Sequence, residues 1–360
     1  MIKSTLSNSG NALGSLLLFL AVMAVMAVMA ILLEAVTRMI IGAPMQERLP
    51  LPRVMPDPDT GWVLYPSDEH YTYEHYVKLN AMGFRDDEIN GKQPGEYRIL
   101  AVGDSHIYGQ GLGNDELLTT FLEEDLNSTG SPCRFNIINM GIRAYRTNSE
   151  LALLGKTART LEPDHIIVYF YLNDFIPVNI AHRYSRFSGM DWYTFDFSDK
   201  PTDEHVRKWR LVQLARSSAF LMWLHDTYRR LAGESDPSNR ILQGDIDQAT
   251  QKMIDGTIEA LDGIRLLSED LGIRFTLALI PVSSQLVTDF HARGYQPILE
   301  QYANRTGVGY LDLLPDLRMH HEQHSDTLVI PFDGHYNGQA HRVMALSTSR
   351  HLDAAHLCPE

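Results

Sequence analysis

The stretch Arg98-Ile99-Leu100-Ala101-Val102-Gly103-Asp104-Ser105 decides the fold of this chain. A short apolar run of strand length leads directly into a glycine, a carboxylate and a serine, and the amphipathic stretch 117–126 follows. A short apolar run followed by a segment of helical period indicates a buried strand and the helix that covers it. Residue 98 is therefore the predicted start of an alternation of strands and helices.

The same alternation continues towards the C-terminus. Further runs of strand length lie at 135–139, 165–171, 275–280 and 309–313, and helix-like segments lie at 148–160 and 246–271. Strands that are buried on both faces of a parallel sheet read as continuous apolar runs. The pattern predicts an α/β fold with a doubly wound, mainly parallel sheet of the flavodoxin-like type over residues 98–350.

An aromatic-rich segment, 175–240, interrupts this alternation and contains a helical stretch near 211–231. We interpret it as an insertion. Two placements are equally consistent with the sequence, namely the mouth of an active site and a helix pair that caps the edge of the sheet.

The N-terminal region predicts a membrane anchor. Residues 13–33 contain no charged side chain, and about twenty apolar residues are what a helix needs to cross the hydrocarbon core. The run is longer than the apolar part of a usual signal peptide, and no A-x-A cleavage site precedes Glu34. We therefore predict a transmembrane anchor at 13–33, followed by a spacer at 43–58 with five prolines and a leader segment at 59–97 that packs on the main domain.

Charge and cysteine content exclude several classes of function. The 360 residues include 45 acidic and 31 basic side chains, so the net charge of −14 would repel nucleic acid. Cys133 and Cys358 form no CxxC pair, which argues against the common zinc and thioredoxin motifs and leaves a single disulfide between them open. We expect no metal and no cofactor.

The basic residues on either side of the apolar run bear on the orientation of the anchor in the membrane. Lys3 is the only basic residue before the apolar run, whereas Arg38, Arg48 and Arg53 follow it, so the positive-inside count does not favour export. Long domains cross membranes largely regardless of such charges. We expect a single-pass membrane protein whose main domain is extracytoplasmic, on the periplasmic side.

Polar residues follow three of the predicted strands. Ser105 follows the first strand, Asn139-Met140-Gly141 ends the second, and Asn173 follows the third. Alone, Gly-Asp-Ser would be a turn, but ligands of doubly wound sheets bind at the carboxyl ends of the strands. The amides of Gly141 and Ser105 and the carboxamide of Asn173 are donors suited to an oxyanion hole.

A candidate base lies near the C-terminus, in Asp333-Gly334-His335. A carboxylate bonded to one imidazole nitrogen leaves the other nitrogen to take a serine proton. Asp333 can reach the ring of His335 only if the chain turns at Gly334, which glycine permits. His341 is the alternative base, although we expect it on the following helix in a structural hydrogen bond.

Together these segments resemble the SGNH/GDSL hydrolase family, in which Ser, Gly, Asn and His come from four successive sequence blocks. Residues 80–85 are also similar to leaders of membrane-anchored bacterial members. The resemblance implies Ser105 as the nucleophile, His335 as the general base and Asp333 as the residue that orients it. It implies an oxyanion hole of Gly141, Asn173 and the Ser105 amide.

Two departures from the family pattern bear on the expected function. His106 stands where leucine usually follows Gly-Asp-Ser, and Asp333 precedes His335 by two residues rather than three. The second spacing also resembles SGNH-like acetyltransferases of bacterial polysaccharides. The resemblance implies a serine esterase that acts through an acyl-enzyme. The predicted membrane anchor and extracytoplasmic location make O-acyl groups of a cell-envelope glycan or lipid the expected substrate class. An O-acetyltransferase for an exopolysaccharide and a non-catalytic, membrane-anchored binding or assembly module stay open as alternatives.

Overall fold

A computed structural model describes residues 6–176, 203–231, 237–287, 294–324, 327–353 and 357–358. Nine strands are formed in this part of the chain. Four short ones belong to the N-terminal region, namely β1 (Val54–Asp57), β2 (Gly61–Leu64), β3 (Glu69–Thr72) and β4 (His75–Lys78). The other five are β5 (Glu96–Gly103), β6 (Arg134–Gly141), β7 (His165–Phe170), β8 (Arg274–Leu279) and β9 (Gly309–Asp312).

The five later strands form one parallel sheet in the order β6-β5-β7-β8-β9. When these five strands are renumbered 1 to 5 in chain order, their order across the sheet is 2-1-3-4-5, which is the flavodoxin-like order. The predicted doubly wound parallel sheet is therefore confirmed. In the register of β5, Gly103 pairs with Gly141 on one side and with Tyr169 on the other, so the polar residues that follow these strands share one edge of the sheet.

Helices cover both faces of the sheet. The helices of the described chain are α1 (Leu6–Ile40), α2 (Ser105–Tyr108), α3 (Leu118–Ser128), α4 (Thr147–Leu161), α5 (Asp203–Arg216), α6 (Ala219–Leu231), α7 (Pro237–Leu242), α8 (Gln248–Leu271), α9 (Gln296–Thr306), α10 (Leu314–His324) and α11 (Gly338–Leu352). One face packs on α4, α8 and α9, and the other packs on α3, α10 and α11.

Strand β5 shows why the sheet has two apolar faces. Leu100 and Val102 lie in the core with α4 and α8, whereas Ile99 and Ala101 lie in the core with α3 and α11. Side chains of a strand alternate between faces, so an uninterrupted apolar run is what burial on both faces requires.

The leader segment is part of the folded body. Strands β1 and β2 pair antiparallel, as do β3 and β4. Trp62, Val77, Leu79 and Phe84 are buried in the same core as the parallel sheet. Strand β1 begins at Val54, inside the predicted spacer, so the boundary at residue 58 stays a prediction.

The N-terminal helix α1 makes up nearly all of the span Leu13–Ile41, which has a mean hydropathy of 3.1. Residues 13–33 of this span are exposed, and Thr37 is buried. It is long and apolar enough to cross a membrane. It is longer at its C-terminal end than the predicted 13–33.

The described part of the insertion differs from the single helical stretch that the sequence predicts near 211–231. Two helices, α5 and α6, are separated at Ser217 and Ser218. The Ser218 hydroxyl accepts a hydrogen bond from the Leu221 amide at 3.2 Å, as an N-terminal cap does, which favours a new helix over continuation of the first. Residues 177–202 and 232–236 of the predicted insertion lie outside the described residues.

Candidate active site

Ser105 is the first residue of α2, directly beyond the end of β5. Asp104 caps this helix, since its Oδ1 accepts a hydrogen bond from the His106 amide at 2.8 Å. A Cβ atom at Gly103 would lie 2.6 Å from the side chain of Ile107, so the chain can fold back this tightly only with glycine there. The turn presents Ser105 at the carboxyl edge of the sheet, where the side chain remains slightly accessible.

His335 lies next to this serine. Its Nε2 is 2.8 Å from Ser105 Oγ, and its Nδ1 is hydrogen-bonded to Asp333 Oδ1. The bond to Asp333 forms because the chain turns at Gly334, which has a φ of +90°. The two-residue spacing of Asp333 and His335 is thus compatible with the contact, and the structure brings Ser105, His335 and Asp333 into one hydrogen-bonded chain.

The protonation states of Asp333 and His335 suit proton transfer. Burial alone would raise the pKa of Asp333, but His335 and a hydrogen bond from the Tyr73 hydroxyl hold that pKa well below its usual value. Burial alone would lower the pKa of His335, but the Asp333 carboxylate raises it above its usual 6.5. Asp333 is therefore ionised at neutral pH, and His335 gains affinity for a proton.

Two further side chains bind Asp333, and neither was found from the sequence. The Tyr73 hydroxyl donates a hydrogen bond to Asp333 Oδ2, and Gln110 Nε2 donates to the same oxygen at 3.3 Å. Tyr73 lies at the turn between β3 and β4 with a φ of +53°, which is uncommon for a bulky residue. The aromatic content of the leader was the only sequence signal, and it does not single out Tyr73.

Asn173 lies in a 3-10 turn, Leu172–Phe175, at the end of β7. Its Nδ2 donates to Asp104 Oδ2 at 2.9 Å. A carboxamide nitrogen carries two N–H groups, so this bond fixes the orientation of the side chain and leaves a second donor for another acceptor. Burial alone would raise the pKa of Asp104, but His106 and the hydrogen bond from Asn173 are among the influences that hold it below its usual value.

Gly141 is engaged differently from the prediction. Its amide donates to Asn139 Oδ1 at 2.9 Å. A Cβ at this position would lie 2.1 Å from the Tyr108 amide nitrogen, so α2 approaches the end of β6 more closely than any other residue would allow. The geometry gives Gly141 a packing role behind Ser105, and its role as an oxyanion donor stays a prediction.

The two other histidines near the site are buried. The ring of His106 lies 4.9 Å from the ring of His335 and 4.2 Å from that of Tyr171. Burial lowers the pKa of His106 to about 4, so it is neutral at physiological pH. His341 lies on α11 and its Nδ1 accepts a hydrogen bond from the Leu118 amide at 3.0 Å, the structural bond expected for it.

A buried charged cluster lies beyond Tyr73. The guanidinium of Arg216, the last residue of α5, lies 5.7 Å from the centre of the Tyr73 ring. Burial raises the pKa of Glu47, and the charges of Arg143 and Arg216 partly offset this rise. Arg143 and Arg216 are each only 5% exposed. The insertion therefore reaches the surroundings of Asp333 through Arg216.

No family model matches the sequence, and no curated protein does. Several solved structures are similar to the chain. An acetyl xylan esterase, AlAXEase, is 12% identical, with 70% of this chain and 97% of that one covered at a TM-score of 0.41. A lipolytic G-D-S-L protein from Veillonella parvula is 13% identical, with 70% and 96% covered at a TM-score of 0.38. LAE5, an alpha/beta hydrolase from the metagenome of Lake Arreo in Spain, is 12% identical, with 72% and 96% covered at a TM-score of 0.43.

Proposed function

We propose that this chain is a serine esterase of the SGNH/GDSL type. The observation that carries the proposal is the continuous contact from Ser105 Oγ to His335 Nε2, at 2.8 Å, and from His335 Nδ1 to Asp333. A hydroxyl, a base within hydrogen-bonding distance and a carboxylate that orients the base are what nucleophilic acyl transfer needs.

In the first half of the proposed reaction, His335 Nε2 takes the proton of Ser105 as the serine oxygen attacks the ester carbonyl. Asp333 stabilises the imidazolium that forms. The tetrahedral intermediate then collapses, the bond to the alcohol breaks, and His335 gives its proton to the departing alkoxide. The acyl group remains on Ser105.

In the second half, water replaces the alcohol. His335 takes a proton from the water as the water oxygen attacks the acyl-serine. The intermediate then collapses, the bond between the acyl carbon and Ser105 Oγ breaks, and His335 returns the proton to Ser105 Oγ, which leaves a free carboxylic acid and the resting site. A well-placed general base of this kind contributes about 10²- to 10⁴-fold to the rate.

The proposed oxyanion donors are the second N–H of Asn173 Nδ2 and the backbone amide of Ser105. The Ser105 amide is in the first turn of α2, where amides have no partner within the helix. Gly141 is the third predicted donor, and its amide would have to exchange Asn139 Oδ1 for the oxyanion. Loss of one such donor typically costs 10²- to 10³-fold in rate.

We further propose that α1 is a membrane anchor and that the esterase domain lies on the periplasmic side. Two observations support this. Near the end of α1, Glu34 accepts a hydrogen bond from Ala219 at the start of α6, and Arg38 donates to the carbonyl of Ser217 just before it, so α1 is docked on the domain. Cys133 and Cys358 form a disulfide, which is typical of oxidising, extracytoplasmic compartments. The expected substrate is an O-acyl group of a cell-envelope glycan or lipid.

Turnover of p-nitrophenyl acetate by the purified full-length chain tests the esterase proposal. We expect Ser105→Ala and His335→Ala each to lower the rate by at least about 10³-fold. Ser128→Ala, an exposed serine on α3, is the matched control and should leave the rate unchanged. Undiminished turnover in Ser105→Ala would refute the proposal, and release of free acetate without an added alcohol would identify water as the acceptor.

A further inference from the structure

Helix α6 exposes an apolar face. Leu221, Leu224, Tyr228 and Leu231 are 47%, 48%, 68% and 83% exposed. Their spacings of three, four and three residues place them along one side of the helix. We call these four residues the α6 face. An exposed side of a helix in water is normally polar, so the α6 face is suited to an apolar partner.

Neighbouring residues enlarge this surface. Trp223, beside the α6 face, is 40% exposed, and Leu211 and Leu214 on α5 are 64% and 73% exposed. On the inward side of α6, Ala219 and Met222 are buried. The helix therefore already has a buried side, and the α6 face is additional to what packing within the chain requires.

The start of α6 is fastened to the end of α1. The carboxylate of Glu34 accepts hydrogen bonds from the Ser218 hydroxyl at 2.7 Å and from the amides of Ala219 and Phe220 at 3.0 Å each. Arg38 donates to the carbonyl of Ser217 at 2.6 Å. These bonds fix the start of α6 to residues 34–38 of α1. The depth of residues 34–38 in the membrane therefore sets the depth of the start of α6.

The uncharged part of the apolar span gives this depth. Residues 13–33 carry no charged side chain, and Glu34 is the first charged residue after them. At a rise of about 1.5 Å per residue, Glu34 lies about 31 Å along the helix from Leu13, close to the roughly 30 Å thickness of a hydrocarbon core. Glu34, and with it the beginning of α6, is thus at the level where hydrocarbon meets headgroups. Exposed Trp223 and Tyr228 are of the residue types enriched at that level.

We propose that the α6 face lies in the lipid interface, so that α5 and α6 hold the active site against the membrane surface. The proposal rests on the membrane anchor proposed above. The connection to the active site is short, because α5 ends at Arg216, which lies over the Tyr73 ring, and Tyr73 donates to Asp333. In this arrangement the accessible ester is one carried at the membrane surface.

Fluorescence quenching in vesicles tests this. Leu221→Cys and Tyr228→Cys are each labelled with a polarity-sensitive nitrobenzoxadiazole probe, with the native cysteines left as the Cys133–Cys358 disulfide. Leu266→Cys is the matched control, an exposed leucine on α8. The full-length protein is inserted into phosphatidylethanolamine and phosphatidylglycerol vesicles that contain lipids with a nitroxide near the headgroup. Retention on vesicles after a carbonate wash is measured in parallel.

We expect retention, together with several-fold stronger quenching at positions 221 and 228 than at 266. Retention with equal quenching at all three positions would overturn the proposal for the α6 face and leave the anchor standing. Loss of the protein in the carbonate wash would refute the anchor and this proposal with it. Equal quenching combined with 221-to-221 crosslinks between chains would assign the α6 face to a second copy and would also overturn the proposal.

Discussion

The chemistry of the site depends on how tightly Asp333 is held. Its two oxygens are divided between partners, because Oδ1 bonds to His335 and Oδ2 accepts from Tyr73 and Gln110. The carboxylate therefore cannot rotate away from the imidazole without breaking other bonds. This division makes Tyr73 a positioning residue for His335, although it does not touch Ser105 in any described contact.

Substitution of Tyr73 by phenylalanine should lower kcat about tenfold with little change in KM. Loss of the hydroxyl leaves more negative charge on Asp333, so the pKa of His335 should rise and the acid side of the pH-rate profile should move to higher pH. Tyr76→Phe, an exposed tyrosine on the same hairpin, is the control. If Tyr73 were merely structural, its loss would reduce thermal stability and leave the pH-rate profile in place.

The pH dependence of the wild-type enzyme follows from His335. His335 acts as a base only when it is neutral. Its pKa is raised above 6.5, so activity should rise with pH through a midpoint above 6.5.

In Asp333→Asn the carboxylate charge that raises the pKa of His335 is lost, while burial still lowers that pKa, so the midpoint should fall below 6.5. We expect the maximal rate to drop about 10²-fold, less than in His335→Ala. Asp255→Asn, on the exposed side of α8, should change neither quantity, and an unshifted midpoint in Asp333→Asn would contradict the assigned role of Asp333.

At the scale of elements, the leader segment holds the chain that follows α2 in place. The buried guanidinium of Arg85 donates to the carbonyls of Tyr108, Gly109 and Leu112, at 3.0, 2.7 and 2.6 Å. Burial lowers the pKa of Arg85 only to about 10, so the group stays charged at neutral pH. These bonds tie the leader to the chain that leaves α2, and so to the position of Ser105.

Replacement of Arg85 by methionine should lower the free energy of unfolding by about 3–5 kcal/mol, because three carbonyls lose a charged donor. Urea unfolding of the full-length chain measures this. Arg159→Met removes an arginine of similar size from an exposed ion pair with Asp270 and should cost less than about 1 kcal/mol. Equal losses in the two variants would show that Arg85 is not a structural tie.

The sheet was predictable from the sequence and the supporting contacts were not. Period and composition are local properties, so the run at 98–102 and its counterparts located all five parallel strands. Tyr73 and Asp333 are 260 residues apart, and only the folded chain shows that they meet. The break between α5 and α6 was missed because a serine cap is a weak local signal inside a stretch of otherwise helical character.

At the scale of the whole molecule, one covalent bond links distant parts of the chain. Cys133 precedes β6 and Cys358 follows α11, so the disulfide joins the segment after α11 to the chain that enters β6, the strand at one edge of the sheet. The sequence separation of 225 residues means that the bond restricts a large part of the unfolded chain. The sequence alone left this pairing open because nothing local relates the two cysteines.

Reduction of the disulfide should lower the free energy of unfolding by about 2–5 kcal/mol. The double variant Cys133→Ser with Cys358→Ser should behave like the reduced protein and be insensitive to dithiothreitol. A maleimide that adds mass to free thiols should leave the protein purified from cells unmodified. Quantitative modification without reductant would contradict both the disulfide and the periplasmic location that it supports.

The central claim is that Ser105 is a nucleophile activated by His335. Incubation of the full-length protein with a fluorophosphonate, followed by mass spectrometry of its peptides, tests this claim most directly. We predict a single phosphonylated peptide, modified at Ser105, whose formation is abolished in Ser105→Ala and strongly slowed in His335→Ala. Modification of a different serine, or equal labelling of all three proteins, would contradict the account.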